Sequence, residues 1–395
     1  MKPDFMRFVD RYIGGPICFF LSIENKLRKL IFKKPPGQIK KILFIELSEM
    51  GSSILAYSSL KKAKELFDAE LFFLIFEENK ESVTLLDIIP KNNLLTIRSK
   101  NILLLMIDTF KIIKKIKKHK IDTIIDLELF SRFSSILSYA SRPSRISAFY
   151  KYHQEGLYRG NFHTDKVVYN PYYHISKNFL SLVYSLNEKT WPKLKKNISE
   201  NDIVVYQRRI SQHKKNVVLS KLKKITDIKK EDRLVIINPN ASQLLPIRKW
   251  PLENWIELSK KLVNKGYRLI IIGNNLDKED AQIIKKIIPE CIDFTGKTSL
   301  KELVTLFSLS DLLITNDSGP AHFASLTNIP KITLFGPETP LLYGPLGNSI
   351  NLYSELACSP CVSAHNHRKT SCKDNICLKS ISVEQVYKEA SKILS

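Results

Sequence analysis

The chain has 395 residues and a formal net charge of +23, with 62 Lys and Arg against 39 Asp and Glu. This length is sufficient for two domains of ordinary size, each with a hydrophobic core. So basic a chain is expected to meet an anionic partner: nucleic acid, an anionic membrane face or a phosphorylated substrate. Because the sequence contains no zinc-finger, RNP or basic-zipper pattern, nucleic-acid binding is the least favoured of the three.

The first 38 residues combine large apolar side chains with many Lys and Arg. The apolar stretch 13–23 contains Gly-Gly-Pro, is too short to span a bilayer and lacks a small-residue cleavage site. A basic, aromatic-rich segment of this kind is typical of one that lies on an anionic membrane surface. The alternative is a helical hairpin packed against the protein body. A Pro-Pro-Gly linker at 35–37 ends the segment.

Strands and helices alternate over residues 39–195, which we interpret as a first domain. The predicted strands are 41–47, 69–76, 94–98, 121–127 and 145–149. The predicted helices are 52–67, 101–117 and 130–140. This βαβα order predicts a parallel, doubly wound sheet. The turn-rich and aromatic stretch 151–176 interrupts the order, and we interpret it as a long functional loop.

A second unit of the same kind is predicted over residues 196–395. Its expected strands are 234–239, 267–272, 311–315 and 329–335. Its expected helices are 251–265, 277–288, 300–308 and 320–328. Ligand-binding turns would follow the carboxyl ends of the strands in both units and face each other across a cleft. The sequence therefore predicts an α/β protein with two Rossmann-like domains and an N-terminal amphipathic segment.

The most informative stretch, 313–347, contains the turn Asn316-Asp317-Ser318-Gly319 between a strand and a helix. Pro320 opens the helix, a position at which its missing N–H costs nothing. The backbone N–H groups of Ser318 and Gly319 therefore form a ready phosphate site. Asp317 could accept a hydrogen bond from a sugar or ribose hydroxyl. Taken alone, the turn is more simply explained as an ordinary capped helix.

The order of residues goes beyond this turn. Asp317-Ser-Gly-Pro-x-His322 is followed by Pro330, by Phe-Gly-Pro at 335–337 and by Tyr-Gly-Pro at 343–345. This order closely resembles the donor-binding signature of the bacterial heptosyltransferases, glycosyltransferase family 9. The resemblance covers roughly residues 40–390.

That resemblance implies the GT-B architecture, in which two Rossmann-like domains face a cleft. It also implies an inverting, metal-independent transfer that requires no cofactor. The sugar, typically heptose from its ADP-activated form, would move to a lipopolysaccharide-core or related lipid-linked saccharide. A catalytically inactive sugar-nucleotide-binding or scaffold protein of the same fold is the first alternative. A membrane-associated polyanion binder is the second.

The resemblance also implies a donor site in the second domain. Residues 238–242 resemble the family's proline-glycine-alanine loop, and 248–251 (Arg-Lys-Trp-Pro) resemble its Lys-x-Trp-Pro. Arg248, where the family usually has lysine, would neutralise a diphosphate. Glu279 resembles a ribose-binding glutamate less securely, since an exposed acid that stabilises the helix dipole is the simpler interpretation. The predicted donor-binding residues are Asn240, Ser242, Arg248, Glu279, Asp317, Ser318, Gly319 and His322.

The loop after the first strand, 48–54, resembles the family's Ser-x-x-Gly-Asp, whose aspartate is taken as the general base. Here Ser52 occupies the position of the aspartate, and a serine hydroxyl cannot act as a base near neutral pH. A partly desolvated Glu49 could replace it, with its pKa raised toward a useful range. We therefore predict Glu49 and Ser52 as catalytic residues. The alternative is that Glu49 faces solvent and the protein transfers nothing.

Basic side chains around the 151–176 stretch suggest a site for an acceptor that carries phosphates or acidic sugars. The alternative is that these are scattered surface cations in a basic protein. Including the glycine of the base loop, the predicted acceptor-binding residues are Gly51, Arg132, Arg159 and His163.

Four cysteines near the C-terminus, Cys358, Cys361, Cys372 and Cys377, have spacings that could hold a structural zinc ion. Two disulfides are the alternative, although a cytosolic enzyme without an export signal argues against stable ones.

The combined prediction is a cytoplasmic glycosyltransferase, peripheral on the inner face of the cell membrane. Its expected partners are a nucleotide-sugar donor, a lipid-linked or lipopolysaccharide-core acceptor and an anionic membrane surface, with no nucleic acid.

Overall fold

The computed structural model describes residues 3–31, 37–150, 158–190, 193–194, 196–242, 245–366 and 368–395. The chain forms two compact units, Met1–Val204 and Val205–Ser395. Each unit contains a parallel six-stranded sheet with connecting helices. The predicted α/β class with two Rossmann-like domains is thereby confirmed.

The first unit is built on a sheet in which every neighbouring pair of strands is parallel. Its strands are β1 (Lys41–Ile45), β2 (Glu70–Phe76), β3 (Leu94–Ile97), β4 (Thr123–Asp126), β5 (Arg145–Tyr150) and β6 (Asp165–Val168). Its helices are α1 (Pro3–Val9), α2 (Gly15–Ile31), α3 (Met50–Leu55), α4 (Tyr57–Phe67), α5 (Lys80–Thr84), α6 (Ile102–Lys118), α7 (Arg132–Ala140) and α8 (Ile175–Tyr184).

The strand order in this sheet is β3-β2-β1-β4-β5-β6. The chain therefore adds β2 and β3 on one side of β1 before it returns to add β4, β5 and β6 on the other. Ile45 of β1 is in register with Asp126 of β4. The loops after these two strands thus leave the sheet side by side and diverge, which creates the crevice where doubly wound sheets bind ligands.

The second unit repeats this plan. Its strands are β7 (Leu234–Asn238), β8 (Arg268–Ile271), β9 (Ile292–Asp293), β10 (Leu312–Asn316), β11 (Lys331–Phe335) and β12 (Ser349–Tyr353). Its helices are α9 (Gln212–Lys223), α10 (Leu252–Asn264), α11 (Lys278–Ile287), α12 (Leu300–Phe307), α13 (Gly319–Ala324), α14 (Pro340–Tyr343), α15 (Ile376–Lys379) and α16 (Val383–Leu394). The order β12-β11-β10-β7-β8-β9 places the divergence between β7 and β10, where Asn238 is in register with Thr315.

The central strands owe their apolar sequences to burial on both faces of the sheet. Every residue of β7, β10 and β11 is buried, and strands covered on both sides need nearly continuous apolar runs. A core cluster that includes Trp250 and Trp255 packs beside these strands. The rigid sheet therefore holds the loops at its carboxyl edge in fixed positions.

The N-terminal helices pack one face against α7. Asp10, in a π-helical turn between α1 and α2, accepts a hydrogen bond from the Phe133 N–H at 2.8 Å and lies 3.4 Å from Arg132 Nη1. A Cβ at Gly14 would lie 2.9 Å from Arg132 Cβ, so the helices approach closely there. The outer face of the segment keeps many large apolar side chains exposed. Across the described parts of the chain, no helix has the length and hydropathy to cross a bilayer.

The interpretation of 151–176 as one long loop is wrong where it meets β6. Residues 151–157 lie outside the described residues, but Asp165–Val168 pairs with β5 and forms the edge of the first sheet. The predicted helix 52–67 is divided into α3 and α4, which meet at Ala56.

Candidate active site

At the carboxyl ends of β7 and β10, buried polar side chains bind the two strand ends together. The Asn238 side-chain amide donates to Thr315 Oγ1 at 2.9 Å and to Ser318 Oγ at 3.0 Å. The Asn316 amide donates to the Pro239 carbonyl at 2.9 Å. These bonds fix the Ser318 turn at the divergence point of the second sheet.

The predicted turn geometry at the start of α13 is present. Ser318 is the N-cap residue, and Pro320 lies in the first turn. A Cβ at Gly319 would lie 3.3 Å from the Phe323 ring, so glycine keeps the backbone open at this point. Asp317 and His322 are largely buried beside it, at 4% and 8% exposure.

Arg248 reaches into the same turn. Its Nη1 lies 3.3 Å from Asp317 Oδ2 and 3.9 Å from Glu338 Oε2, and only 14% of its side chain is exposed. Arg368 Nε is 3.1 Å from the other oxygen of Glu338. Glu338 was not among the predicted site residues. Its position directly after the Phe-Gly-Pro at the end of β11 could have identified it as a site residue. The positive charges of the two arginines are therefore balanced by the negative charges of Asp317 and Glu338.

The side-chain amide of Asn240 is buried and has no hydrogen-bond partner in the part of the chain that the structure describes. The residue is 3% exposed, and its Nδ2 and Oδ1 make no hydrogen bond within the described residues. A Cβ on Gly273 would lie 2.9 Å from Asn240 Nδ2, which places the amide against the loop after β8. A buried amide without partners costs about 1–3 kcal/mol. Both polar atoms of this side chain therefore have unused hydrogen-bonding capacity among the described residues.

The remaining predicted donor residues lie farther toward solvent. Ser242 is exposed, and its carbonyl accepts from the Leu245 N–H at 3.0 Å. Glu279 is exposed in the first turn of α11. Their donor roles stay predictions.

In the first unit, the two predicted catalytic residues touch each other. Ser52 Oγ donates a hydrogen bond to Glu49 Oε2 at 2.7 Å. Glu49 is half-buried and caps α3, while its own N–H donates to Glu46 Oε1 at 3.3 Å. Gly51 lies within the first turn of α3. Ser52 therefore orients the carboxylate that follows β1.

Glu128, which the sequence analysis missed, follows β4 at the same divergence point. Its Oε1 accepts the Leu47 N–H at 2.8 Å. Burial raises the pKa of the Glu128 carboxyl to about 7. The Leu47 bond opposes this rise, and the negative charges of Asp126 and Glu49 add to it. The position of Glu128 just after the end of β4 could have identified it from the sequence as a candidate site residue.

Arg159 is buried completely in the first unit. Its guanidinium donates to Asp126 Oδ2, to Ser134 Oγ at 3.0 Å and to the Glu128 carbonyl at 2.7 Å. These bonds hold the guanidinium inside the first unit. The acceptor role of Arg159 stays a prediction.

The other predicted acceptor cations are also turned inward. His163 is 2% exposed and bonds to Ser135 Oγ at 2.8 Å. Burial and the charge of Arg159 lower the pKa of His163 well below its ordinary value, so the ring is neutral. Arg132 is 6% exposed and paired with Asp10. The spacing of these residues in the sequence does not reveal such burial, and their acceptor roles stay predictions.

The four clustered cysteines are free thiols. Burial raises the pKa of Cys377, and the charges of the other three thiols act in the same direction. Within the described residues, which leave out His367, no group of three or more His, Cys, Asp or Glu has metal-binding geometry. Zinc binding by these cysteines therefore stays a prediction.

Residues 109–371, more than half of the chain, match the family model described as glycosyltransferase family 9 (heptosyltransferase). The chain belongs to glycosyltransferase family 9. The predicted family resemblance is thus confirmed.

Relatives agree with this membership. Lipopolysaccharide core heptosyltransferase OpsX of Haemophilus influenzae is 24% identical over 329 residues, or 80% of this chain and 86% of that protein. Lipooligosaccharide heptosyltransferase 2 of the same organism is 31% identical over 139 residues, or 34% of this chain and 40% of that protein. The first curated relatives are matched over only 31% to 41% of their own length.

The fold of this family 9 member is that of solved heptosyltransferases. The structure of E. coli ADP-heptose lps heptosyltransferase II superposes with a TM-score of 0.67 and 18% identity, covering 90% of this chain and 98% of that one.

The buried Arg159–Asp126 pair gives a stability prediction. Arg159→Ala leaves Asp126 charged and unpaired in the core, and should lower the free energy of unfolding by about 3–5 kcal/mol. Denaturant unfolding measures this. The matched control, Arg7→Ala, removes an exposed pair with Asp4 and should cost less than about 1 kcal/mol. Equal midpoints for both variants would contradict the structural role of Arg159.

Proposed function

We propose that this family 9 protein transfers a sugar, expected to be heptose, from a nucleotide-diphosphate donor to a lipopolysaccharide-core or related lipid-linked saccharide. ADP-heptose is the expected donor, because the structurally similar E. coli protein is named as an ADP-heptose heptosyltransferase. The observation that carries the proposal is the buried Asn240 amide, which has no hydrogen-bond partner among the described residues and lies at the divergence point of the second sheet. Ligands of doubly wound sheets bind at such points.

The donor half of the reaction would depend on Arg248. As the bond between the sugar and the diphosphate breaks, negative charge grows on the leaving diphosphate. A partly buried guanidinium stabilises such charge more strongly than an exposed one. Asp317 and Glu338 hold Arg248 in place before the donor arrives. Asp317 can then accept a hydrogen bond from a donor hydroxyl.

The acceptor half would depend on Glu49. In an inverting displacement, the acceptor oxygen forms a bond to the anomeric carbon while the bond to the diphosphate breaks. The proton of the acceptor hydroxyl passes to Glu49. Ser52 supports this role by orienting Glu49 through its 2.7 Å hydrogen bond.

Glu128 is proposed to tune Glu49. A second negative charge nearby raises the proton affinity of a carboxylate, which makes it a better base. Because the pKa of Glu128 is about 7, this charge is present above neutral pH and lost below it. The base would therefore be strongest on the alkaline side of neutrality.

We also propose that the protein acts at the inner face of the cell membrane, as a lipid-linked acceptor requires. Support comes from α1 and α2, whose outward faces combine exposed aromatic and aliphatic side chains with Arg and Lys.

Replacing the proposed base tests the reaction. Glu49→Gln should lower kcat about a hundredfold or more, because the amide cannot accept the proton. Nucleotide release from ADP-heptose with a lipid-core acceptor measures the rate, and an unchanged ADP-induced thermal shift shows that the donor site is intact. The control is Glu65→Gln, which removes an exposed acid from a surface ion pair. Wild-type turnover in Glu49→Gln would refute the assignment.

Replacing Asn240 tests the donor site. Asn240→Leu removes the costly buried amide, so the ligand-free protein should be as stable as the wild type or more so. Its affinity for ADP should nevertheless fall about tenfold, with a smaller ADP-induced rise in Tm. Asn264→Leu, on the exposed end of α10, is the control. An ADP response equal to wild type in Asn240→Leu would overturn the assignment.

Glu128→Gln should change the pH dependence of stability. The folded protein holds the Glu128 proton up to about pH 7, whereas the unfolded chain loses it near the ordinary value of 4.5. Folded stability from this group therefore falls as pH rises from 4.5 to 7. Glutamine does not ionise, so the variant does not lose this stability. It should be more stable than the wild type by about 1–3 kcal/mol at pH 8 and equally stable near pH 4.

Thermal or denaturant unfolding at several pH values measures this difference. Turnover gives a second readout, since the variant should lose the rise in kcat that the wild type shows through neutral pH. A constant stability difference between the two proteins across this range would show that Glu128 has an ordinary pKa.

A further inference from the structure

Helix α6 has an exposed apolar face that the reaction does not use. Five large side chains stay between 39% and 64% exposed: Ile102, Leu103, Met106, Ile107 and Phe110. Their spacing places them on one side of the first half of the helix. Contiguous apolar patches on a protein surface usually mark a site of interaction.

The orientation of α6 is fixed, so this face cannot turn inward. Ile112 and Ile116 on the opposite side are buried in the core of the first unit. Asp108 is buried and accepts two hydrogen bonds of 2.8 Å from the Arg98 guanidinium. Asn101 caps the helix by accepting from the Leu104 N–H at 2.8 Å. The apolar face is therefore a permanent feature of this surface.

The charge beside this face is positive. The second half of α6 carries five exposed lysines: Lys111, Lys114, Lys115, Lys117 and Lys118. Asp108 is the only acid in the helix sequence, and it is already paired with Arg98. An apolar face followed by a cluster of lysines fits the boundary between acyl chains and anionic headgroups, where each lysine adds to the attraction.

The N-terminal helices reach the same part of the first unit. Met6 of α1 and Leu105 of α6 pack against one core cluster together with Phe133 of α7. The most exposed apolar residues of α1, α2 and the turn between them are Phe8, Tyr12, Phe20, Leu27, Leu30 and Ile31. Both sets therefore belong to helical segments that contact α7.

We propose that α6 and the N-terminal helices together form a surface that docks on an anionic lipid bilayer. The lysines favour this occupant over a second copy of the chain, because two copies of so basic a face would repel each other. The inference rests on the proposed function only for the lipid-linked nature of the acceptor.

Vesicle sedimentation with the full chain tests the surface. Vesicles of phosphatidylcholine with one quarter phosphatidylglycerol should bind the protein, whereas pure phosphatidylcholine should bind it weakly. The variant Leu103→Ser, Met106→Ser, Phe110→Ser should lose binding to the anionic vesicles by about tenfold or more, since three apolar side chains no longer enter the interface. Lys114→Glu with Lys117→Glu should lower binding in a salt-dependent way.

The matched control is Leu276→Ser with Leu341→Ser, which removes two side chains of the second unit that are 72% and 74% exposed. It should bind vesicles like the wild type. Circular dichroism melting confirms that each variant is folded. Wild-type vesicle affinity in the α6 triple variant overturns the proposal. The proposal is also overturned if the wild type is a dimer, the triple variant is a monomer, and the triple variant still binds vesicles.

Turnover separates this inference from the proposed function. With a water-soluble acceptor saccharide that lacks the lipid, the α6 variants should keep wild-type kcat. If the wild type shows no transfer at all, the proposed function fails, and vesicle binding still decides whether α6 docks on lipid.

Discussion

Parallel pairing of two strands at the centre of each sheet, β1 with β4 and β7 with β10, determines where chemistry can occur. In each pair the connecting segments leave in opposite directions, so the carboxyl ends stand uncovered by the chain's own crossovers. Polar groups at that edge lie beyond the hydrogen bonds of the sheet and need other partners. In the second unit the Asn238 side chain provides hydrogen bonds to Thr315 and Ser318. In the first unit the Glu128 carboxylate accepts the Leu47 N–H.

The two edges handle charge in opposite ways. In the second unit, Arg248 is paired with Asp317 and Glu338, so its guanidinium is not an isolated cation. In the first unit, Arg159 is enclosed by its bonds to Asp126 and neighbouring groups. Burial, with the negative charges of Asp126 and Glu49, raises the pKa of Glu128, and the Leu47 N–H and the charge of Arg159 offset only part of that rise.

The sequence predicted the fold well because buried parallel strands are nearly continuous apolar runs that need no knowledge of tertiary structure. The Asp317-Ser-Gly-Pro turn was identified because its residues are adjacent in the chain. Glu128 was missed because its importance comes from Leu47 and β1, which are far away in sequence. The burial of Arg159 was not foreseen for a related reason: a basic residue in a sequence looks the same whether it faces solvent or a buried carboxylate.

Docking through α6 as well as the N-terminal helices has a geometric consequence. A protein held by a single helix can pivot about that contact, whereas attachment through two separate helical segments would resist this rotation. The first unit would then move laterally at a constant height above the lipid. Encounter with a lipid-linked saccharide becomes a search in two dimensions, in which the effective acceptor concentration depends on its density in the leaflet rather than on the volume of the cell.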